Sequence, residues 1–293
     1  MRIVFIGAVE FSLRALERLV SLGADIVGIC TLKESKFNAD HIDLTSIGGA
    51  HGIPCFYADD INSTEALMWI KSKAPDVIFC FGWSKLLKQA LLTLAPLGVV
   101  GFHPAALPAN RGRHPIIWSL VLGLDKTAST FFFMDAGADS GDILSQRDIL
   151  ISDQDDARTL YNKVTETALA QIEEFLPLLS AGSAQRTKQS QINVNTWRKR
   201  GRADGIIDWR MSAQTIHNLV RGLAKPYVGA HFLADGKEIK VWKTLLYIPV
   251  ENNFEPGKVL AHSINGSVVK CGEGAICLIE TEPPFLPNVG DYL

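Results

Sequence analysis

Two short stretches of the sequence combine residue types that can move protons. His103 ends the apolar run Val99-Val100-Gly101-Phe102-His103 and begins a loop with two prolines, an arginine and a glycine. Asp139 lies in a later loop that is rich in aspartate and glycine. An imidazole can accept and donate protons near pH 7, and a neighbouring carboxylate can orient the ring and stabilise its protonated form. These two residue types are typical of an active site.

Taken singly, each residue also has a purely structural interpretation. A histidine at the end of a strand can be a core residue, and an aspartate beside Ser140 and Gly141 commonly bonds the local backbone in a turn. The position of His103 favours function, because ligands of doubly wound sheets lie beyond the carboxyl ends of the strands.

The two stretches carry a longer pattern. The first is His103-Pro104-Ala105-Ala106-Leu107-Pro108-Ala109-Asn110-Arg111-Gly112, and the second is Asp135-Ala136-Gly137-Ala138-Asp139-Ser140-Gly141. Together they resemble the motifs of the formyltransferase family that uses N10-formyl-tetrahydrofolate. The resemblance implies that His103 and Asp139 are catalytic, since an amine that attacks a formyl carbon creates an oxyanion and must lose a proton.

The resemblance extends over nearly the whole chain and implies further site residues. The segment Phe79 to Leu87 is similar to the family's pterin-pocket segment, and Ile207-Asp208-Trp209 and Lys240-Val241-Trp242 are similar to its second domain. The implied folate-binding residues are Phe81, Gly82, Trp83, Leu87, Asp135 and Gly137. The implied acceptor-binding residues are Glu10, Phe11, Arg111 and Tyr227.

One position departs from the family pattern. The family usually has asparagine two residues before the histidine, and this chain has Gly101. An asparagine amide there would donate to the developing oxyanion, and loss of one such donor typically costs about 100- to 1,000-fold in turnover. We expect a backbone N–H, a water or a side chain such as Ser84 to replace it.

Within the family, the sequence favours the branch that formylates nucleotide-linked amino sugars for surface polysaccharides such as lipopolysaccharide. The segments Ser35 to Leu44 and Phe81 to Ser84 are similar to that branch, and the first 100 residues hold no basic insertion for a tRNA acceptor arm. The expected partners are a nucleotide sugar and folate. Methionyl-tRNA formyltransferase is the first alternative, and a folate-binding protein or formyl-folate hydrolase is the second.

A basic run, Arg198 to Arg202, keeps the tRNA alternative open. These residues can form a solvated connector with no function of its own, or they can contact tRNA phosphates. The formal net charge of −2 and the pI of about 6.4 argue against nucleic acid and against an anionic membrane as partners of the whole surface. A homodimer is compatible with this charge.

The elements that position these residues alternate in the first half of the chain. Short apolar strands, such as Ile26 to Leu32, alternate with amphipathic helical stretches, such as Phe11 to Leu22. This predicts an α/β fold with a doubly wound, mostly parallel, Rossmann-like sheet. A polar stretch over 183–204 predicts a linker between a catalytic domain, 1–182, and a domain over 205–293. The last part predicts one helix and a small antiparallel, OB-like β-barrel.

The sequence lacks the motifs of several other functional classes. The first strand ends in Gly7, one glycine where a dinucleotide fingerprint needs three, and no Gly-Lys-Ser/Thr phosphate loop occurs. The five scattered cysteines include no Cys-x-x-Cys pair, which predicts reduced thiols and no metal. Without a signal peptide or a spanning run of apolar residues, the sequence predicts a cytoplasmic protein.

Overall fold

The computed structural model describes residues 1–35, 39–247 and 253–293. They form two compact units. The first unit comprises Met1–Gly112, Thr127–Ile149 and Asn162–Trp197. The second unit comprises Arg113–Lys126, Leu150–Tyr161 and Arg198–Leu293. The predicted boundaries at 182 and 205 stay a prediction.

Among the described residues, nine strands precede residue 198, and seven of them build one sheet. They are β1 (Arg2–Ile6), β2 (Asp25–Thr31), β3 (Cys55–Tyr57), β4 (Val77–Cys80), β5 (Val99–His103), β6 (Arg111–Gly112), β7 (Lys126–Phe133), β8 (Ile143–Leu150) and β9 (Thr196–Trp197). The sheet order is β3-β2-β1-β4-β5-β7-β8, while β6 pairs with β9 alone. The pairs among β1 to β5 are parallel, and β5 pairs antiparallel with β7. The predicted α/β fold with a mostly parallel sheet is confirmed.

Seven α-helices lie in the described residues. They are α1 (Glu10–Ser21), α2 (Thr45–Ala50), α3 (Thr64–Ser72), α4 (Gln89–Leu92), α5 (Pro115–Val121), α6 (Ala157–Ser180) and α7 (Ala213–Leu223). Two of these helices begin at a side chain that caps them. The Ser63 side chain accepts the N–H of Ala66 at the start of α3, and the Asp156 carboxylate accepts the N–H of Thr159 at the start of α6. Such caps satisfy N–H groups that have no partner inside a helix.

The core beside β5 is aromatic. The rings of Phe79, Phe81 and Phe131 are fully buried, and their centroids lie 5.1 Å apart in the pairs Phe79–Phe81 and Phe81–Phe131. Phe175 of α6 closes this cluster from its helix, 4.9 Å from Phe131. Packing of this kind fixes the carboxyl end of β5, where His103 lies.

The second unit contains a five-stranded antiparallel sheet. Its strands are β10 (Ala230–Ala234), β11 (Lys237–Tyr247), β12 (Val259–Ser263), β13 (Gly266–Lys270) and β14 (Ala275–Glu282), in the order β10-β11-β14-β13-β12. The predicted antiparallel sheet is confirmed, and its closure into an OB-like barrel stays a prediction. Helix α7 is capped by Ser212, whose side chain accepts the N–H of Thr215.

Within the described residues, no helix is both long enough and apolar enough to cross a membrane. Part of the segment Ser35 to Leu44, used above to choose the sugar branch, falls on residues 36–38, which lie outside the described residues.

Candidate active site

His103 and Asp139 lie together at the end of β5. The His103 side chain is buried, and its Nδ1 lies 3.7 Å from Oδ2 of Asp139. Its Nε2 lies 2.7 Å from the carbonyl oxygen of Asn110. Because a carbonyl can only accept, Nε2 must carry the ring proton in this contact. Nδ1 is therefore the nitrogen that can take up a further proton, and it faces a carboxylate.

Asp139 is held by the backbone of the first motif. Its Oδ2 accepts the N–H of Gly112 at 2.9 Å, and its φ is +53°, in the left-handed region that few non-glycine residues adopt. Asp139 therefore joins the two motifs through its carboxylate, as their pairing in the sequence suggests.

The start of the Asp139 loop is organised by Asp135. One carboxylate oxygen, Oδ1, accepts the N–H of Gly137 at 3.0 Å and the hydroxyl of Ser140 at 2.7 Å. A Cβ on Gly137 would collide with Ser140, so the turn needs glycine there. Asp135 and Gly137 are both exposed, and their role in folate binding stays a prediction.

The segment after β4 places its predicted residues in different environments. Phe81 is fully buried in the aromatic core, and Leu87 packs in the apolar cluster behind β4. Gly82 has a φ of +73°, and a Cβ there would collide with Val9 and Ser12. Trp83 is partly buried, and its indole N–H has no hydrogen-bond partner among the described residues. Among these four residues, Trp83 is therefore the one whose side chain keeps a donor for a ligand.

The predicted acceptor-binding residues are spread more widely. Phe11 packs in the core, with its ring centroid 4.2 Å from that of Phe102, and Glu10 opens α1. Arg111 donates from Nη2 to Oε1 of Gln189 at 2.6 Å, while its buried Nε has no partner among the described residues. Tyr227 belongs to the second unit, where it packs against the apolar core.

Gly101 is enclosed by its neighbours. A Cβ at this position would lie 2.8 Å from Cγ and 3.0 Å from Sδ of Met134, and 3.2 Å from the ring of Phe132. The Met134 side chain therefore fills the space into which an asparagine side chain would begin to extend. Ser84 is exposed and nothing places it beside Gly101.

Two residues of the polar segment 183–197 also contact the candidate site, although no signal in the sequence marks them. Gln189 is buried and bonds both motifs, and the Asn195 carboxamide oxygen accepts the N–H of Asn110 at 2.7 Å. The residues on either side of them are exposed and, apart from Val194, polar, so no apolar periodicity marks them. Only the tertiary contacts identify them.

The described residues contain no group of three histidine, cysteine or acidic side chains that could hold a metal ion. Burial raises the pKa of Cys80 and of Cys271 to about 12, so both stay protonated near neutral pH.

Comparison with known proteins covers both parts of the chain. Residues 1–175 match the family model "Formyl transferase", and residues 200–285 match "Formyl transferase, C-terminal domain". The methionyl-tRNA formyltransferase of Caldanaerobacter subterraneus subsp. tengcongensis is 33% identical over 100% of this chain and 96% of its own length. Four other relatives of that name are 29% to 32% identical over at least 96% of this chain.

Solved structures show the same fold. WlaRD, a sugar 3N-formyl transferase solved in the presence of dTDP and 5-N-formyl-THF, has a TM-score of 0.72 at 17% identity, over 97% of this chain and 99% of its own. The methionyl-tRNA formyltransferase from Clostridium thermocellum has a TM-score of 0.62 at 18% identity, over 84% of this chain and 94% of its own. At these identities the likeness shows the fold alone.

The prediction of a nucleotide-sugar formyltransferase is wrong. The five full-length relatives at 29% to 33% identity all carry the methionyl-tRNA name, whereas sugar enzymes are similar at the level of the fold. The physical reason lies in the segment that was used to choose the branch. Phe81 is a core residue and Gly82 is a turn residue, so these two positions serve packing and chain reversal and do not distinguish one acceptor from another.

Proposed function

The chain belongs to the formyltransferase family and is a transferase of formyl groups, and we propose that it formylates the amino group of methionyl-tRNA with N10-formyl-tetrahydrofolate as donor. The observation that carries the chemistry is the contact of His103 with Asp139 at the end of β5. The full-length similarity to methionyl-tRNA formyltransferases supports the choice of acceptor.

The proposed reaction forms a bond between the methionyl amine nitrogen and the formyl carbon and breaks the bond from that carbon to N10 of folate. His103 takes the proton that the amine loses, at Nδ1, because Nε2 already donates to Asn110. Asp139 stabilises the resulting imidazolium, and the proton then passes to N10 as it leaves. Catalysis by one such positioned acid and base contributes about 100- to 10,000-fold.

Two orphaned donors fit a polar co-substrate. The indole N–H of Trp83 and Nε of Arg111 are both buried and both lack partners among the described residues. A buried donor without a partner costs about 1–3 kcal/mol, so such groups are usually satisfied by a ligand or by water. We assign Trp83 to the pterin end of folate and Arg111 to the developing oxyanion or to an anionic group of the acceptor.

The second unit offers cations for tRNA. Arg198 pairs with Asp204, and Arg202 pairs with Glu238, with both arginine side chains more than 60% exposed. Exposed pairs of this kind contribute only about 0–1 kcal/mol, so a phosphate can replace the carboxylate at little cost. Arg200 differs, because it is buried and lies 4.5 Å over the ring of Trp118, where it supports the fold.

The direct test supplies N10-formyl-tetrahydrofolate together with one acceptor at a time. The acceptors are methionyl-charged initiator tRNA, uncharged initiator tRNA and a panel of dTDP- and UDP-linked amino sugars. Mass spectrometry should detect formyl-methionine released from the charged tRNA and no product from the others. Formylation of a sugar with none on methionyl-tRNA would overturn the proposal.

The contribution of the basic run is tested separately. The variants Arg198→Ala and Arg202→Ala should each raise KM for the tRNA, with a shallower dependence on salt than the wild type. Arg210→Ala is the matched control, because Arg210 is an exposed arginine of the same unit that also pairs with an aspartate, Asp208. Equal effects of all three substitutions would remove Arg198 and Arg202 from the proposed contact.

A further inference from the structure

Gln189 stands out in the polar segment 183–197 because its side chain is buried. It is 8% exposed, whereas its neighbours Lys188 and Ser190 are exposed. A carboxamide carries two donors and an acceptor, and burial without partners for them is costly. The buried Gln189 side chain is therefore expected to form hydrogen bonds with its neighbours.

All three hydrogen bonds of the Gln189 side chain lead to the candidate active site. The Gln189 Nε2 donates to the carbonyl oxygens of Asp139 and Gly141, each at 2.8 Å. Its Oε1 accepts Nη2 of Arg111 at 2.6 Å. One amide thereby joins the backbone of the Asp139 loop to the guanidinium of the first motif.

The Asp139 loop has few other supports. Residues 135–138 are exposed, and the Asp135 carboxylate accepts its hydrogen bonds from Gly137 and Ser140, inside the same loop. Asp139 itself holds a left-handed backbone conformation. A strained residue keeps its conformation only where the surroundings enforce it. The bond from Gln189 to the carbonyl of Asp139 does so.

The segment that carries Gln189 is fixed on both sides. Thr187 and Ile143 exchange two backbone hydrogen bonds, of 2.8 and 2.9 Å. Farther along, Asn195 accepts the N–H of Arg111 at 3.1 Å and the N–H of Asn110 at 2.7 Å. Gln189 is thus presented to the loop by a segment that is itself anchored, and the predicted linker forms part of the site.

We propose that Gln189 is a positioning residue that sets the Asp139 carboxylate against His103 and the Arg111 guanidinium against the substrate. It does not touch the reacting atoms. The proposal rests on the proposed function for its kinetic consequence. A displacement of about 1 Å in a catalytic group can lower the rate by about 100-fold.

The test compares Gln189→Met with Gln191→Met. Methionine has a similar length and lacks the hydrogen bonds, and Gln191 is an exposed glutamine of the same segment. Gln189→Met should lower kcat by about 10- to 100-fold and leave KM for the folate donor within about twofold, because catalysis and not donor binding loses its geometry. Gln191→Met should match the wild type.

A second readout needs no substrate. The Gly112 N–H is protected by its bond to Asp139, so hydrogen exchange at Gly112 should accelerate in Gln189→Met and stay unchanged in Gln191→Met. If the wild type formylates no methionyl-tRNA, the proposed function fails while this measurement still decides the role of Gln189. Unchanged kcat and unchanged exchange in Gln189→Met would overturn the positioning role.

A variant that keeps one contact guards against misfolding. Gln189→Glu retains an acceptor for Arg111 and loses both donors to the loop. Should Gln189→Met fail to fold, Gln189→Glu decides: a lowered kcat with normal folate binding supports the role, and wild-type kcat contradicts it. Gln191→Glu controls for the added charge.

Discussion

Arg111 of the first unit and Arg221 of the second unit differ in how their guanidinium donors are engaged. Arg221 is buried in the second unit, and its guanidinium donates to the Asn218 side chain at 2.9 Å and to the carbonyls of Ser152 and Asp155 at 3.0 and 3.1 Å. Arg111 donates to Gln189, and its buried Nε has no partner among the described residues. The guanidinium of Arg221 is engaged inside the protein, whereas Arg111 keeps a buried donor that a ligand can take.

The same contrast holds for the histidines. His103 has Asn110 on one ring nitrogen and faces Asp139 with the other. His217 of the second unit bonds Thr244 at 3.0 Å, and burial lowers its pKa. The contacts of His103 therefore suit the proton transfer proposed above, whereas His217 is engaged within its own unit.

The largest expected effect is loss of the catalytic pair. His103→Ala and Asp139→Ala should each lower turnover by at least about 100-fold, because both groups act on the transition state. Formyl transfer is measured under single-turnover conditions, with circular dichroism to establish that each variant is folded. Near wild-type turnover in either variant would place His103 and Asp139 among the structural residues.

The next largest effects are expected when each of the two arginines is replaced by methionine. Arg221→Met should lower the free energy of unfolding by about 2–3 kcal/mol, because it leaves buried carbonyls without their donor. Arg111→Met should lower kcat/KM by about 10- to 100-fold, the equivalent of one charged hydrogen bond. Chemical denaturation and steady-state kinetics on both variants give the two values. The distinction between the two arginines fails if both lose mainly stability.

Gly101→Asn tests whether the protein has room for the asparagine side chain that the family usually has at this position. Met134 occupies the space beside Gly101, so asparagine should cost about 1–3 kcal/mol by overpacking and should not raise turnover. The double variant Gly101→Asn with Met134→Ala provides the control, because removing the obstacle should recover part of the stability that Gly101→Asn loses. A large gain in turnover from Gly101→Asn alone would show an active site that merely lacks its donor.

The smallest expected effect is a pH dependence that originates in the second unit. Burial lowers the pKa of His217, and the neighbouring Arg221 lowers it further. Burial also lowers the pKa of His114, as do the nearby cations Arg113, Arg200 and Lys199. The unfolded state then binds more protons, so stability falls as the pH drops below the ordinary value of 6.5.

Thermal unfolding between pH 7.5 and 5.5 measures this slope. His217→Gln should flatten it, because glutamine does not titrate. An exposed histidine, His51, provides the control, and His51→Gln should leave the slope unchanged. A slope that is the same in His217→Gln and in the wild type would remove His217 as its source.

Much of the fold could be predicted because its signals are local. The strand that ends at His103 was predicted over Val99 to His103 and is found there, since an apolar run bounded by turn residues marks a buried strand. An acidic stretch in the sequence, Asp153 to Asp156, is also typical of a helix start, and Asp156 caps α6. Helix α5 and strand β9 were not predicted, because a seven-residue helix and a two-residue strand leave too little periodicity.

By itself the sequence determined the fold class, the family and the pairing of His103 with Asp139, because each depends on residue types at fixed spacing along the chain. Only the tertiary structure decided which of the implied side chains can serve a ligand. Phe81 and Phe11 proved to be core residues, Met134 proved to fill the space beside Gly101, and Gln189 proved to join the two motifs. The physical reason is that burial and hydrogen bonding depend on distant neighbours, and a polar segment looks the same in sequence whether it is solvated or anchored in a site.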